Sequence, residues 1–413
     1  MNRSISNPLP WIGCAIVALG LACPLVARAQ PSEKSPSAQP SPWRGFRIKE
    51  PESGAELRIR GLIQSDAVFF LHDRNEQSDR FEIRRGRIAL SGKMGSFAFR
   101  VEPQFTPGSV VLLDAYLDAQ LLGEALALRS GKMKTPLGVE LNQPVSALIL
   151  PERGLSTSLV PNRDIGAQVM GELDQGLFSY AVGVFGGAAD GVTPEGNVDD
   201  HMDGAGGIWL RPFHALSMPE LDQLGIGFAA TLGWERGSED DSGLGRYRTV
   251  GRDTYARYQE DVLADGRRYR INPQMKWYWQ SLGVLAEYVL SVQRVRSPIA
   301  VRTLENQAWM AGATYVLTGE DATYGGVTPN HSWGAFELSA RYSELYLDEQ
   351  ARARGFVSET TPKLARSWGG SLNYWANAVV RTQLAFERTR FRAWTGTARP
   401  AENALLVRFQ VSL

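Results

Sequence analysis

Apolar and polar residues alternate with a period of two in several parts of the chain. In residues 335–343 the apolar positions are Phe336, Leu338, Ala340 and Tyr342, and the polar positions between them are Glu337, Ser339, Arg341 and Ser343. Residues 284–293, 379–389 and 407–413 alternate in the same way. Successive residues of a β-strand point to opposite faces, so this period predicts amphipathic strands and not helices.

Polar and glycine-containing breaks separate the alternating segments. Short breaks at 92–95, 122–124, 174–176 and 280–282 predict tight periplasmic turns. Longer polar stretches predict external loops at 72–80, 142–164, 187–204, 236–266, 348–366 and 393–401. The strands would begin near Glu56, Phe81, Phe97, Val111, Leu126, Gly166, Leu177, Ala205, Gln223, Arg268, Gly283, Glu305, Gly334, Ser367, Val379 and Glu402. About sixteen strands is an even number in the range of outer-membrane barrels, and a barrel that wide contains a water-filled lumen.

The composition favours an all-β transmembrane antiparallel barrel over other classes. After the N-terminal segment no run of about 18 apolar residues occurs, which argues against transmembrane helices. The 42 glycines, 11 tryptophans and 13 tyrosines fit short strands, tight turns and aromatic girdles at the membrane interfaces. A soluble β-sandwich or propeller is the alternative fold, although we find no blade repeat of the kind that a propeller would show. The last alternating strand ends at Leu413, as expected if it closes against the first.

The N-terminal residues predict export. Arg3 precedes an apolar run from residue 11 to residue 26, and the small residues Ala27 and Ala29 occupy the two positions that a signal peptidase reads. We therefore expect a signal peptide at 1–29, a flexible Pro/Ser-rich lead-in at 30–45 and an outer-membrane barrel at 46–413. A spanning helix would need about 20 apolar residues, and a lipoprotein signal at Cys23 is disfavoured by Gly20. The chain's two cysteines would leave with the signal, which excludes disulfides and cysteine catalysis.

Several segments, in order, carry a resemblance to a known family. They are 84–92 (RRGRIALSG), 114–118 (DAYLD), 130–138 (SGKMKTPLG), 151–153 (PER), 163–166 (RDIG), 183–186 (GVFG), 315–320 (YVLTGE), 337–342 (ELSARY) and 372–375 (LNYW). Together they resemble the phosphate-selective porin O/P family. The resemblance implies a sixteen-stranded homotrimeric barrel of the Gram-negative outer membrane, inserted by the barrel assembly machinery and surrounded by lipid. It also implies an inward-folded third external loop that forms a constriction, here residues 136–161.

Anion selection in a wide pore requires positive charge at its narrowest part, because charge-assisted hydrogen bonds hold a partly desolvated anion. Strand phase predicts that Arg85, Arg87 and Arg100 face the lumen. The family motif turns Lys132 and Lys134 inward, and Arg153 and Arg163 flank the loop; the resemblance makes Arg153 the constriction residue. We call these seven basic residues the ladder. Four acidic residues are available to neutralise part of its charge, namely Glu82, Glu102, Asp114 and Asp118. The 44 basic and 44 acidic residues balance, so any selectivity must be local.

The sequence therefore predicts a porin for passive diffusion of small solutes, with anions such as phosphate or pyrophosphate as the expected class. The chain contains only seven lysines, whereas phosphate-specific members of the family are expected to have lysine-rich surfaces. A general or carbohydrate porin without anion specificity, and a barrel acting as a surface anchor or adhesin, are the alternatives.

Catalysis is the competing functional class. The four histidines, His72, His201, His214 and His331, fall in predicted loops or turns. No Gly-x-Ser-x-Gly elbow or paired-histidine metal motif accompanies them, and His201 with Asp199, Asp200 and Asp203 forms the best polar cluster. We expect no enzymatic activity, no cofactor, no metal site and no nucleic-acid partner.

Overall fold

The computed structural model describes residues 45–71, 77–106, 108–197, 199–216, 218–396 and 398–413. The predicted signal peptide, the lead-in up to residue 44 and His72 lie outside the described residues. The strands are β1 (Phe46–Lys49), β2 (Glu56–Phe70), β3 (Arg80–Met94), β4 (Phe97–Thr106), β5 (Ser109–Gln120), β6 (Ala127–Met133), β7 (Asp164–Leu173), β8 (Phe178–Phe185), β9 (Asp203–Leu210), β10 (Gly225–Arg236), β11 (Arg246–Arg248), β12 (Thr254–Arg257), β13 (Leu263–Trp279), β14 (Leu282–Arg296), β15 (Val301–Val316), β16 (Ala335–Tyr346), β17 (Leu364–Trp375), β18 (Val380–Arg392) and β19 (Glu402–Ser412).

Strands β2–β10 and β13–β19 form one closed antiparallel ring. Each pairs with its neighbour in the chain, β10 pairs with β13, and β19 closes on β2. Over the described residues this confirms the predicted barrel of sixteen strands. The predicted starts at Glu56, Phe97 and Glu402 coincide with the observed ones, and the largest difference is at β13, which begins at Leu263 and not at Arg268. Strand β1 adds a short pairing to β2, and β11 with β12 forms a separate hairpin.

In the described part of the chain two short α-helices accompany the strands: α1 (Val139–Asn142) and α2 (Glu349–Ala353). Neither combines the length and apolar character that a membrane-spanning helix requires.

The alternation predicted from sequence is the alternation of outer and inner wall. On β16, Glu337, Ser339 and Arg341 are buried, while Leu338 is exposed on the outside. On β18 and β19 the buried polar residues include Arg381, Gln383, Glu387, Arg408 and Gln410. Apolar side chains thus cover the outer face, where lipid would contact them, and polar side chains face inward.

The two rims differ in the length of their connections. The turn rim carries the short connections 95–96, 174–177 and 280–281, and the loop rim carries 134–163, 186–202 and 237–262. The turn rim also has two long connections, 211–224 and 317–334, which the sequence pattern did not identify as loops. Connection 317–334 reaches the barrel interior, where Tyr324 contacts α1.

Closure of the barrel can be tested by cross-linking. We predict that Ile63→Cys with Val411→Cys forms a disulfide, because these exposed residues pair where β19 meets β2. Opposed Cα atoms of an antiparallel pair lie about 4.5–5.5 Å apart, within the range of about 4.4–6.8 Å that a disulfide spans. Oxidised protein, boiled without reductant, should migrate differently on a gel from reduced protein. Ile63→Cys with Val407→Cys is the control, since Val407 pairs with Ala67; equal cross-linking of both pairs would contradict the register.

Candidate functional site

The connection between β6 and β7, residues 134–163, is buried against the inner faces of other strands. It contains α1 and two 3-10 turns, Val145–Ala147 and Leu155–Leu159. Its Leu137, Leu141, Leu155 and Leu159 belong to an apolar cluster that includes wall residues such as Ala308. We call this stretch segment 134–163. Burial of its apolar side chains supplies part of the free energy that holds it there.

A polar interface joins the same segment to β17, β18 and β19. Side chains of these strands donate hydrogen bonds to four carbonyls between residues 146 and 151: Arg381 to Ser146 and Leu148, Gln410 to Ser146, Ser371 and Asn373 to Ile149, and Arg408 to Pro151. The bond from Ser371 Oγ to the Ile149 oxygen is 2.8 Å long. A buried carbonyl is costly without a donor, so these contacts fix the backbone of the segment against one half of the wall.

Glu152 lies at the centre of this interface. Its carboxylate accepts from Arg84 at 2.7 and 2.9 Å, from Arg85 at 3.1 Å and from Arg408 at 2.7 Å. Arg408 also forms a bidentate pair with Asp66, with both distances 2.7 Å. Burial alone would raise the pKa of Glu152, but the charges of the three arginines hold that pKa well below its usual range.

A β-bulge explains how neighbouring residues 84 and 85 both reach Glu152. Gln64 pairs with Arg85, whereas Ser65 pairs with Ile83, so Arg84 is the extra residue on β3. A bulge breaks the alternation of faces locally. Strand phase therefore placed Arg85 inside, as observed, but could not identify Arg84.

A second ionic group holds the start of the segment. Arg341 donates to Glu140 at 2.5 Å, to the Glu152 carbonyl at 2.6 Å and to Glu387 at 2.9 Å. Glu287 of β14 accepts from the Val139 amide at 2.8 Å and from the Ser156 hydroxyl at 2.7 Å. Five arginines and five carboxylates pair in the two groups: Arg84, Arg85, Arg341, Arg381 and Arg408 with Asp66, Glu140, Glu152, Glu337 and Glu387. The formal charges of these ten residues cancel, and the buried Glu287 is satisfied by hydrogen bonds without an ion pair to a described residue.

Arg153 and Lys134 make a different kind of contact. Arg153 donates to the carbonyls of Glu140, Leu141 and Gln143 at 3.0–3.2 Å. Lys134 donates to the carbonyls of Leu141 and Asn142 at 2.8 and 3.4 Å. Both stabilise the C-terminal end of α1, and neither forms an ion pair with a described residue. Burial, reinforced by Arg153 and Arg163, holds the pKa of Lys134 well below its usual range.

The other predicted ladder residues are paired with acids. Arg87 contacts Glu102 at 3.3 Å, and Arg100 contacts both Glu102 and Asp114. Arg163 binds Asp114 at 2.9 Å, and Lys132 binds Glu195 at 3.2 Å. Glu102 and Asp114 are thus partners of the ladder, as anticipated. Asp118 instead binds Arg129, and Glu82 binds Arg80 and Arg252.

Open space lies on the side of the barrel opposite the ionic groups. A cavity of about 330 Å³ is lined by Arg100, Asp114, Tyr116, Arg129, Met133, Lys134, Thr135, Pro136, Asn142, Gln168 and Ala181. A larger one of about 530 Å³ shares Pro136, Asn142 and Ala181 with it and extends to the turn rim. Both lie between segment 134–163 and the wall from β4 to β9, with β13 also lining the larger cavity. Sequence reasoning missed Arg129, whose guanidinium lies 3.9 Å from the Tyr116 ring centre.

A connection from the loop rim also contacts segment 134–163. Connection 237–262 contributes Tyr247 and Tyr255 to the apolar cluster that contains Leu155 and Leu159. The Tyr247 and Tyr258 hydroxyls accept from Asn306 at 3.0 and 3.2 Å. This connection therefore packs directly on segment 134–163.

The histidines form local contacts only, apart from His72, which is not described. His201 lies 3.5 Å from Asp199, His214 2.8 Å from Asp222 and His331 3.1 Å from Glu320. Asp203 pairs with Arg268 and not with His201. Within the described residues no group of three or more His, Cys, Asp or Glu is placed to hold a metal ion.

Comparison with known proteins gives one family and a consistent fold. The family model described as phosphate-selective porin O and P matches residues 57–413, which confirms the resemblance drawn from sequence. The outer membrane channel DcaP of Acinetobacter baumannii is 13% identical, with 90% of this chain and 100% of that chain covered and a TM-score of 0.59. An anion-selective porin from Comamonas acidovorans is also 13% identical, with coverages of 87% and 100% and a TM-score of 0.51.

The trimer form of OmpT from Vibrio cholerae is 9% identical, with coverages of 87% and 99% and a TM-score of 0.55. At these identities the structural likeness concerns the fold. No curated protein sequence matches the chain.

Glu152→Gln tests the anchor of segment 134–163. Removing one partner from a buried ionic group costs about 3–5 kcal/mol, so we predict a lower free energy of unfolding in urea and new tryptic cleavage after Lys134 or Arg153. Glu349→Gln is the matched control, because Glu349 and its partner Lys363 both reach solvent and an exposed pair contributes about 0–1 kcal/mol. Equal stability and equal protease resistance of the two variants would show that Glu152 does not anchor the segment.

Proposed function

The chain belongs to the phosphate-selective porin O and P family, and from this premise we propose that it forms a passive outer-membrane pore with a local preference for small anions. The family and the barrel fold are those of outer-membrane channels and not of enzymes. In the proposed pore, segment 134–163 is the loop that narrows the lumen. Solutes pass between this segment and the wall of β4 to β9, where the two cavities adjoin.

The observation that carries the anion preference is the pair Lys134 and Arg153. Among the described residues, both donate hydrogen bonds only to backbone carbonyls, whereas the other ladder residues pair with carboxylates. Carbonyl dipoles stabilise a cation without cancelling its formal charge. Lys134 also lines the 330 Å³ cavity, together with Arg100, Arg129 and Asp114. The guanidinium groups of Arg100 and Arg129, the Lys134 amine and the Asp114 carboxylate therefore border the narrow space, and the lowered pKa of Lys134 reduces its share of the positive charge as the pH rises.

The preference should be modest. Arg87, Arg100 and Arg163 each have an acidic partner, and those acids reduce the potential that a passing anion meets. These pairs favour the second candidate, a general porin without anion specificity. The family description supports phosphate as one solute of the proposed pore, and we propose pyrophosphate as a second. Neither would bind tightly at Arg153, because three carbonyls already accept hydrogen bonds from its guanidinium.

Assembly and export complete the proposal. We propose a homotrimer, supported by family membership and by the trimer form described for the structurally similar OmpT. We also propose removal of residues 1–29, insertion by the barrel assembly machinery, and selectivity set collectively by Arg85, Arg87, Arg100, Lys132, Lys134, Arg153 and Arg163.

Reversal potentials in a potassium chloride gradient test the proposal. We predict anion preference near ~0.1 M salt that weakens toward ~1 M, as the screening length falls from about 10 to about 3 Å. Lys134→Met should reduce the preference and Lys134→Arg should retain it. Lys93→Met is the matched control, since Lys93 is exposed at the turn rim. Potassium preference in the unmodified protein, or no change in Lys134→Met, would favour the general porin.

A further inference from the structure

The larger cavity contains two hydrogen-bond donors, Lys276 and Gln274, that the anchoring of segment 134–163 does not use. The cavity, about 530 Å³, lies between α1 and the turn rim. Lys276 and Gln274 of β13, Trp209 of β9 and Tyr324 of connection 317–334 all line it. Connection 317–334 reaches α1 from the turn rim, where the Tyr324 hydroxyl donates to the Val139 carbonyl at 2.5 Å.

Lys276 differs from the other cations around the two cavities. Its Nζ lies 4.6 Å from the Trp209 ring centre and 4.9 Å from the Tyr324 ring centre. It forms no hydrogen bond or ion pair with a described residue. The two rings attract the ammonium by cation–π contact and hold it at the cavity wall. The rings carry no negative charge and do not neutralise the ammonium as a carboxylate would. The Lys276 ammonium therefore remains available to bind an anion.

Glycine on β10 makes this arrangement possible. The Trp209 ring lies over Gly227, where an added Cβ would be 2.8 Å from ring atoms. Any other residue at 227 would push the indole away from Lys276. The absence of a side chain at Gly227 therefore allows the Trp209 ring to lie beside the Lys276 ammonium.

Gln274 provides a second, independent indication. It precedes Lys276 by two residues and lies on the same inner face of β13. The side chain is 5% exposed, and its Nε2 has no hydrogen-bond partner among the described residues. A buried amide without a partner is unusual in a folded protein. An acceptor supplied by a solute in the cavity would satisfy it.

The remaining wall determines the kind of anion. Ala127, Pro136, Val139, Met170 and Ala181 supply apolar surface, and the carboxylates of Glu124 and Glu172 lie at exposed positions. One ammonium and one amide suit the two oxygens of a carboxylate, and the apolar wall suits a hydrocarbon body. Phosphate carries up to two negative charges near neutral pH against the single charge of Lys276, and the carboxylates of Glu124 and Glu172 would repel the second.

We propose that Lys276 and Gln274, supported by Trp209 and Tyr324, form a binding station for small organic carboxylates between α1 and the turn rim. This inference rests on the proposed pore, since the ligand must enter through its lumen. It goes beyond the proposed function by naming a site and a solute class.

Benzoate block of single-channel chloride current tests the station. We expect benzoate to reduce the current of the unmodified protein at lower concentration than phosphate does, and neutral benzamide to have no effect. Lys276→Met should raise the half-blocking benzoate concentration about tenfold or more, as expected for loss of a charge-assisted hydrogen bond. Gln274→Met should raise this concentration by a smaller factor, and Lys276→Arg should retain block.

Lys93→Met is the matched lysine control. Heat-modifiable migration on gels verifies that each variant folds as a barrel.

Unchanged block in Lys276→Met, or block by phosphate as strong as that by benzoate, would overturn the station. Either result could occur in a channel whose reversal potential shows anion preference, and the proposed function would then stand. Conversely, a potassium-preferring reversal potential would overturn the proposed anion pore, while loss of benzoate block in Lys276→Met would still support the station.

Discussion

A carboxylate buried away from water is stable only when cations or donors surround it, and Glu152 meets this requirement with three arginines. Arg84 and Arg85 come from β3 and Arg408 from β19, so one side chain ties segment 134–163 to both sides of the barrel closure. The neighbouring pair of Glu140 with Arg341 extends the attachment to β16. Donors on β17, β18 and β19 then satisfy the carbonyls between these two glutamates. The placement of the segment, and hence of the open space beside it, depends on this ionic interface.

The strands and their faces could be predicted from sequence because they depend on local alternation. In β16, β18 and β19 each inward residue is two positions from the next, and a barrel wall requires nothing more. The bulge at residues 83–85 is the exception. There the period slips by one residue, and Arg84 turns toward Glu152 against the pattern.

The interior contacts could not be predicted in the same way. Alternation placed Arg341, Arg381 and Arg408 on polar faces, but it did not indicate that they would meet residues 140–152 far away in the chain. Family resemblance gave Arg153 a role at the constriction, whereas the structure shows its guanidinium on the carbonyls of α1. Connection 317–334 was also missed as an interior element, since its contact with Val139 joins residues 185 positions apart.

We propose that segment 134–163 fills one half of the lumen and leaves the other half open. Ser179 and Ser371 provide a matched test, because Ser179 lines the open cavity and the Ser371 hydroxyl is buried on the Ile149 carbonyl. Each would be changed to Cys and exposed to a charged methanethiosulfonate reagent during single-channel recording. We predict a rapid fall in current for Ser179→Cys and no change for Ser371→Cys. Modification of Ser371→Cys at a similar rate, with a similar fall in current, would contradict it.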